Sequence, residues 1–184
     1  MKWLAALMML SVPAMGQSAL DIDFNALFEG GAGQDQITTH GVTLMRRTEP
    51  NGSVSYQGTD ATEQGAVGCW MMIAVHAAAM DRKCDLPINP SERHALDNLL
   101  GGIARFYAKN NFPVLPEGRD LPSVRAAIEV LIRSERSSIP AAVCTGEAAD
   151  FVVSFIDGLR VDAAEQDFLD VLGPARLPVA NPCF

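Results

Sequence analysis

The chain has 184 residues, 48% of them hydrophobic, with 14 Lys and Arg against 22 Asp and Glu for a formal charge of −8. An acidic domain of this size repels nucleic acid and anionic membrane surfaces, so neither is expected as a partner. The length suits one domain with a full hydrophobic core, and no internal repeat or low-complexity array divides it.

Met1 and Lys2 precede an apolar run from Trp3 to Val12, followed by Pro13, Ala14, Met15 and Gly16. A basic end, a short apolar core and a small-residue cleavage site together read as a secretory signal peptide over residues 1 to 16, with cleavage after Ala14 or Ala19 as alternatives. The run is too short for the ~20 residues of a spanning helix, so no stable membrane insertion is expected. Losing one lysine and no acid, the mature chain would carry −9 and reside in the periplasm or be secreted.

Residues 17 to 60 are expected to form an N-terminal lead-in and hairpin ahead of a helical domain over 61 to 184, with 17 to 184 folding as one unit. In the lead-in, Leu20, Ile22, Phe24, Leu27 and Phe28 lay apolar side chains on the core, and the glycines at 30, 31 and 33 lack the Lys-Ser or Lys-Thr of a phosphate loop. Residues 42 to 57 read as a β-hairpin with Pro50, Asn51 and Gly52 as a bulged three-residue loop. That register places Thr48 opposite Val54, Arg46 opposite Tyr56 and Leu44 opposite Gly58, with Val42, Leu44, Val54 and Tyr56 on one face. Arg46 and Arg47 then read as charges defending a sheet edge. Asn51-Gly52-Ser53 matches a glycosylation acceptor, but the turn already explains these residues.

Five helices are expected after the hairpin. The first starts at Asp60 with Glu63 completing a capping box and runs to about Arg82; its segment from Ala66 to Met80 is apolar on every side, which marks it as central and buried. The second has Asn89 as cap, Pro90 at its first position and Glu92 at its third, and its stripe Leu96, Leu99, Leu100, Ile103, Phe106 and Tyr107 ends near Asn110. The third is capped by Asp120 and buries Leu121, Val124, Ala127, Ile128 and Leu131. The fourth, from about Gly146 to Asp157, buries Ala148, Phe151, Val152 and Phe155. The fifth opens at Asp162 and closes at Gly173, with Phe168, Leu169 and Leu172 inward. The tail to Phe184 holds three prolines and is expected to run extended over the surface.

All four cysteines lie in the mature part, and an even count in an exported chain favours two disulfides. Cys69 and Cys84 sit on one continuous helix, roughly 22 Å apart at 1.5 Å per residue, well beyond the ~7 Å limit for a bridge. An up-down bundle brings the end of the first helix to the start of the fourth, which pairs Cys84 with Cys144 and leaves Cys183 on the tail for Cys69. The expected fold is therefore mainly α, a bundle of about five helices with a short N-terminal β-hairpin, stapled by two disulfides.

Two local patterns bear on chemistry. The string Gln64-Gly65-Ala66-Val67-Gly68-Cys69-Trp70 resembles the papain-family segment in which a Gln supplies the oxyanion hole and Cys-Trp opens a helix. That resemblance implies Cys69 as nucleophile and Gln64 as oxyanion donor of a cysteine hydrolase. One residue is missing between glycine and cysteine. The basic partner would have to be His76, seven residues along the same helix, or His94 on the next. A structural disulfide is the ordinary role for Cys69. Met72, His76 and Met80 recur every four residues on one helix face, a soft ligand set suited to Cu(I), whereas methionines on an apolar helix ordinarily fill a core. His40 and His94 have no ligand-spaced partner, and no P-loop, Gly-x-Ser-x-Gly elbow or His-Glu-x-x-His motif is present. Without a full catalytic set, the expectation leans away from an enzyme. It favours an exported binding or accessory protein without cofactor (an inhibitor, immunity-type protein or complex subunit) whose partner is another exported protein.

Overall fold

In a computed structural model of the chain, the described residues are 20, 22–29, 35–62, 65–110, 120–160, 172–181 and 183. The expected signal peptide, the Gly30 to Gly33 loop, Glu63, Gln64 and nearly all of the fifth expected helix lie outside them. Helices predominate, but the molecule is a mixed structure and not a pure bundle, because three antiparallel strands form a sheet in the order β1-β2-β3.

Strands β2 (Val42–Thr48) and β3 (Val54–Asp60) pair in the register that the bulged loop requires, with Thr48 opposite Val54, Arg46 opposite Tyr56 and Leu44 opposite Gly58. Gly52 takes the positive φ of 81° at the loop, and Asn51 accepts hydrogen bonds from the Ser53 amide and hydroxyl. The lead-in contributes a further strand, β1 (Gln36–Thr39), joined to β2 by a two-residue turn in which His40 and Gly41 both have positive φ. That is the turn geometry matched to sheet twist. Strand β2 is therefore central, and Arg46 and Arg47 do not stand on a sheet edge as expected. Instead Arg46 pairs with Asp35 at 3.6 Å and lies over the Phe28 ring.

Beneath the sheet lies a small core of Phe28, Val42, Leu44, Leu177 and Val179. Phe28 comes from the short helix α1 (Phe24–Phe28), capped by the Asp23 side chain on the Ala26 amide. Tyr56 is half-buried against the Phe24 and Phe28 rings, whereas Val54 stays exposed because it sits at the strand end, away from this cluster.

The larger core surrounds α2 (Val67–Cys84), against which α3 (Pro90–Lys109), α4 (Leu121–Ser138) and α5 (Glu147–Gly158) pack. Helix α2 starts seven residues later than expected. Asp60 ends β3 and does not cap the helix, because its carboxylate is already committed to the Thr62 amide and hydroxyl on one oxygen and to Arg176 on the other. No side chain caps α2. The chain's own tail does so, through the Val179 carbonyl accepting from the Gly68 amide at 2.8 Å. At the other end Asp85 adopts a left-handed conformation and closes the helix.

Helix α3 begins with the full capping box: Asn89 accepts from the Ser91 and Glu92 amides, and Glu92 accepts from the Asn89 amide at 2.6 Å. Asp120 caps α4 through Ser123, and the innermost residues of that helix are Val124, Ile128 and Ile132 rather than Leu131. Helix α5 is rotated relative to expectation. Ala149, Val152 and Ile156 face the core, while Ala148 and Phe151 are exposed, Phe151 at 66%. Glu147, Asp150, Ser154 and Asp157 share one stripe and apolar residues cover a wide arc beside it, so periodicity does not fix which part of that arc faces inward, and Ala149 supplies the short side chain at the buried turn.

Cys84 is joined to Cys144, which lies in a 3-10 turn (Ala141–Cys144) leading into α5, and Cys69 is joined to Cys183. The tail is extended, but it does not run over the surface. Arg176, Leu177, Pro178 and Val179 are all buried. Two apolar side chains there complete the core under the sheet, which outweighs the cost of burying backbone whose polar groups find partners. Asn181 bridges to β3 in a parallel sense, and the Asp60 amide donates to its carbonyl.

Candidate functional site

A concavity of about 850 Å³ runs along the outer face of α3 and is closed on its other side by the end of α5 and the first tail residues. The inward stripe of α3 serves the core. The adjoining stripe, Ser91, His94, Asn98, Gly102, Arg105 and Lys109, recurs every three or four residues and lines the groove. Leu99 and Phe106 form an apolar floor, Leu159 and Arg160 stand opposite, and Leu172, Gly173 and Ala175 make the remaining wall.

Charge in this groove runs against that of the whole chain. Its ionisable lining residues are His94, Arg105, Lys109 and Arg160, without one carboxylate among the described residues. Arg160 donates to Glu92 at 3.1 Å, the same carboxylate that completes the α3 capping box, so the arginine is held at the groove's α3 N-terminal end. Arg105 and Lys109 make no ion pair among the described residues. Apolar floor, small-residue wall and a few convergent polar groups are the ordinary makeup of a binding cleft.

The groove wall is anchored from behind by a buried polar knot. Arg176 is fully buried and donates from Nε to Asp60 at 2.7 Å, from Nη2 to the Gly65 carbonyl at 2.8 Å and from Nη1 to the Pro174 carbonyl at 3.1 Å. Its backbone amide donates to the Asn110 side chain, and its guanidinium lies 5.4 Å from the Phe106 ring centre. Asn110 and Phe106 thus face the groove on one side and hold the tail on the other. A buried charge is tolerated only when paired and hydrogen-bonded throughout, and here each guanidinium nitrogen has a partner.

This knot also accounts for the residues of the papain-like string that are described. Gly65 supplies a carbonyl to Arg176, and Gly68 carries no side chain because a Cβ there would lie 2.6 Å from the Val179 carbonyl oxygen. Cys69 is fully buried and spent on Cys183. Its sulfur is therefore no thiolate, and His76 and His94 are directed elsewhere; Gln64 lies outside the described residues. His76 Nδ1 donates to the Glu135 carboxylate on α4, at 2.8 Å.

Met72, His76 and Met80 do not converge. Met72 is 41% exposed, Met80 is fully buried beside Cys84, and His76 is turned to Glu135. Among the described residues no three of His, Cys, Asp and Glu come together as a metal-binding group. Nor is any helix among them long and apolar enough to cross a membrane.

Burial pushes the Tyr107 phenol well above its ordinary value, and its hydroxyl donates to the Pro178 carbonyl at 3.4 Å. The hydrogen bond from Arg82 holds the Glu129 carboxyl below the usual carboxylate range. Both are structural.

Sequence reading missed the groove because it assigned α3 by its inward stripe. The signal was present beside it: small, polar and cationic residues at helical spacing, free of acids, in a chain where acids outnumber bases. No family model, curated protein or solved structure matches the chain.

Proposed function

We propose that the chain is an exported, disulfide-stapled, non-enzymatic binding or accessory protein that engages another exported protein through the groove on α3. The observation that carries this reading is the groove of about 850 Å³ whose charged lining, among the described residues, is cationic in an acidic protein. Its residence in the periplasm or outside the cell rests on the basic, apolar and small-residue order of residues 1 to 16 and on the two disulfides, which persist in oxidising compartments. The cysteine-hydrolase and copper alternatives draw no support from the positions of Cys69, Met72, His76 and Met80 described above.

The test uses the mature, oxidised protein as bait for the exported proteins of its host, with Leu159→Glu as the groove-blocked control and Phe151→Ser, on the far surface of α5, as the neutral one. A partner retained by the wild type and Phe151→Ser but lost with Leu159→Glu supports the reading. Equal capture by all three overturns the groove as the site. Titration of the native protein with a thiol reagent separates the hydrolase, since a reactive Cys69 would exclude a purely structural role.

A further inference from the structure

The groove's basic residues are not gathered at one point. His94 and Arg160 lie towards the α3 N-terminal end, where Arg160 is positioned by Glu92, and Arg105 and Lys109 lie at the other. From His94 to Lys109 the helix rises roughly 22 Å, so a single small carboxylate or phosphate cannot meet both ends. Between them lie Leu99, Gly102 and Phe106, a floor without charge. An extended peptide advances ~3.3 Å per residue, so about seven residues cover the same span.

Resting on the binding-protein reading above, we infer that the groove recognises an extended acidic segment of a protein partner, with acidic residues at its two ends and apolar side chains between them. Charge complementarity acts most strongly at Arg105 and Lys109, which have no ion pair among the described residues, while at the other end the carboxylates meet His94 and Arg160, the latter already paired with Glu92 and Asp157. The apolar centre settles over Phe106 and Leu99, which are already buried in the core, so it is burial of the partner's own apolar side chains that supplies the non-directional part of the affinity.

The probe is a fluorescein-labelled heptapeptide, Asp-Glu-Leu-Phe-Leu-Glu-Asp, against its amide counterpart Asn-Gln-Leu-Phe-Leu-Gln-Asn, with binding to the mature oxidised protein followed by fluorescence polarisation. The acidic peptide should bind at least tenfold more tightly at low salt, and the difference should shrink as salt is raised. The pair Arg105→Glu and Lys109→Glu, both exposed and checked by circular dichroism, should erase the preference, while Lys83→Glu at the far end of α2 should leave it intact. Equal binding of both peptides, or a preference that survives in the Arg105→Glu, Lys109→Glu protein, overturns the inference. So does displacement of the peptide by dodecanoate, which would assign the groove to a small amphiphile, or a self-association abolished by the same two substitutions, which would assign it to a second copy. If partner capture still depends on Leu159 while acidic peptides show no preference, the binding-protein reading survives and only the acidic specificity fails. If neither peptide binds and capture ignores Leu159, both fall.

Discussion

Around α2, three helices enclose a core of more than twenty buried apolar residues, whereas under the sheet, among the described residues, only Phe28, Val42, Leu44, Leu177 and Val179 are buried. Two helices of the large core cap themselves within a few residues, α3 through Asn89 and Glu92 and α4 through Asp120. The small one is closed by contacts between residues more than a hundred positions apart: Arg176 with Asp60, Cys183 with Cys69, and Val179 with Gly68. A region with too few apolar side chains to hold itself together relies on covalent and ionic links, which matter most where hydrophobic burial is smallest. In this chain those same links brace one wall of the groove.

The contrast is broken most directly at Arg176. Arg176→Met strands Asp60 as a buried, unpaired charge and should cost about 3–5 kcal/mol in urea unfolding, while adding Asp60→Leu should recover much of that loss. A double variant as unstable as the single one would show that the knot does not act as a clamp. Gly68→Ala probes the same junction sterically. Its Cβ would meet the Val179 carbonyl, and a loss of about 1–3 kcal/mol is expected, with faster proteolysis of the tail as the confirming measurement.

Alkali should loosen the strap. The Tyr107 phenol is held neutral by burial, so its contribution is complete below the unfolded value near pH 10 and drains away above it. The loss should be up to about 1.4 kcal/mol per pH unit, and Tyr107→Phe should flatten that slope in unfolding experiments from pH 9 to 11. The helical region should respond least to a single local change. Asn89→Ala removes one cap from α3 and should cost about 1 kcal/mol, leaving the tail as protected from proteolysis as in the wild type. Simultaneous exposure of the tail would mean that the two cores unfold as one.

Most of what was legible in the sequence is local. The Asn89 box and the Pro50-Asn51-Gly52 loop are written in residues three or four apart, so the start of α3 and the β2–β3 register follow from short-range chemistry. The apolar run from Ala66 to Met80 marked α2 as central, and its continuity through Cys84 rules out a Cys69–Cys84 bridge. Asp60 misled because a carboxylate ahead of a helical run looks like a cap whether or not a distant arginine has claimed it. Phe151 misled because an α5 apolar on most sides offers more than one face to a core.

The sequence alone determined the identity of the central helix, the caps of α3 and α4 and the hairpin turn, since these depend on backbone preferences and hydrogen bonds within a few residues. Only the tertiary structure decided that the proline-rich tail is threaded through the interior, that Arg176 finds Asp60, and that the cationic stripe of α3 faces an open groove. Each of those depends on which distant surface is brought near, and proximity in space is set by the packing of the whole chain rather than by neighbouring residues.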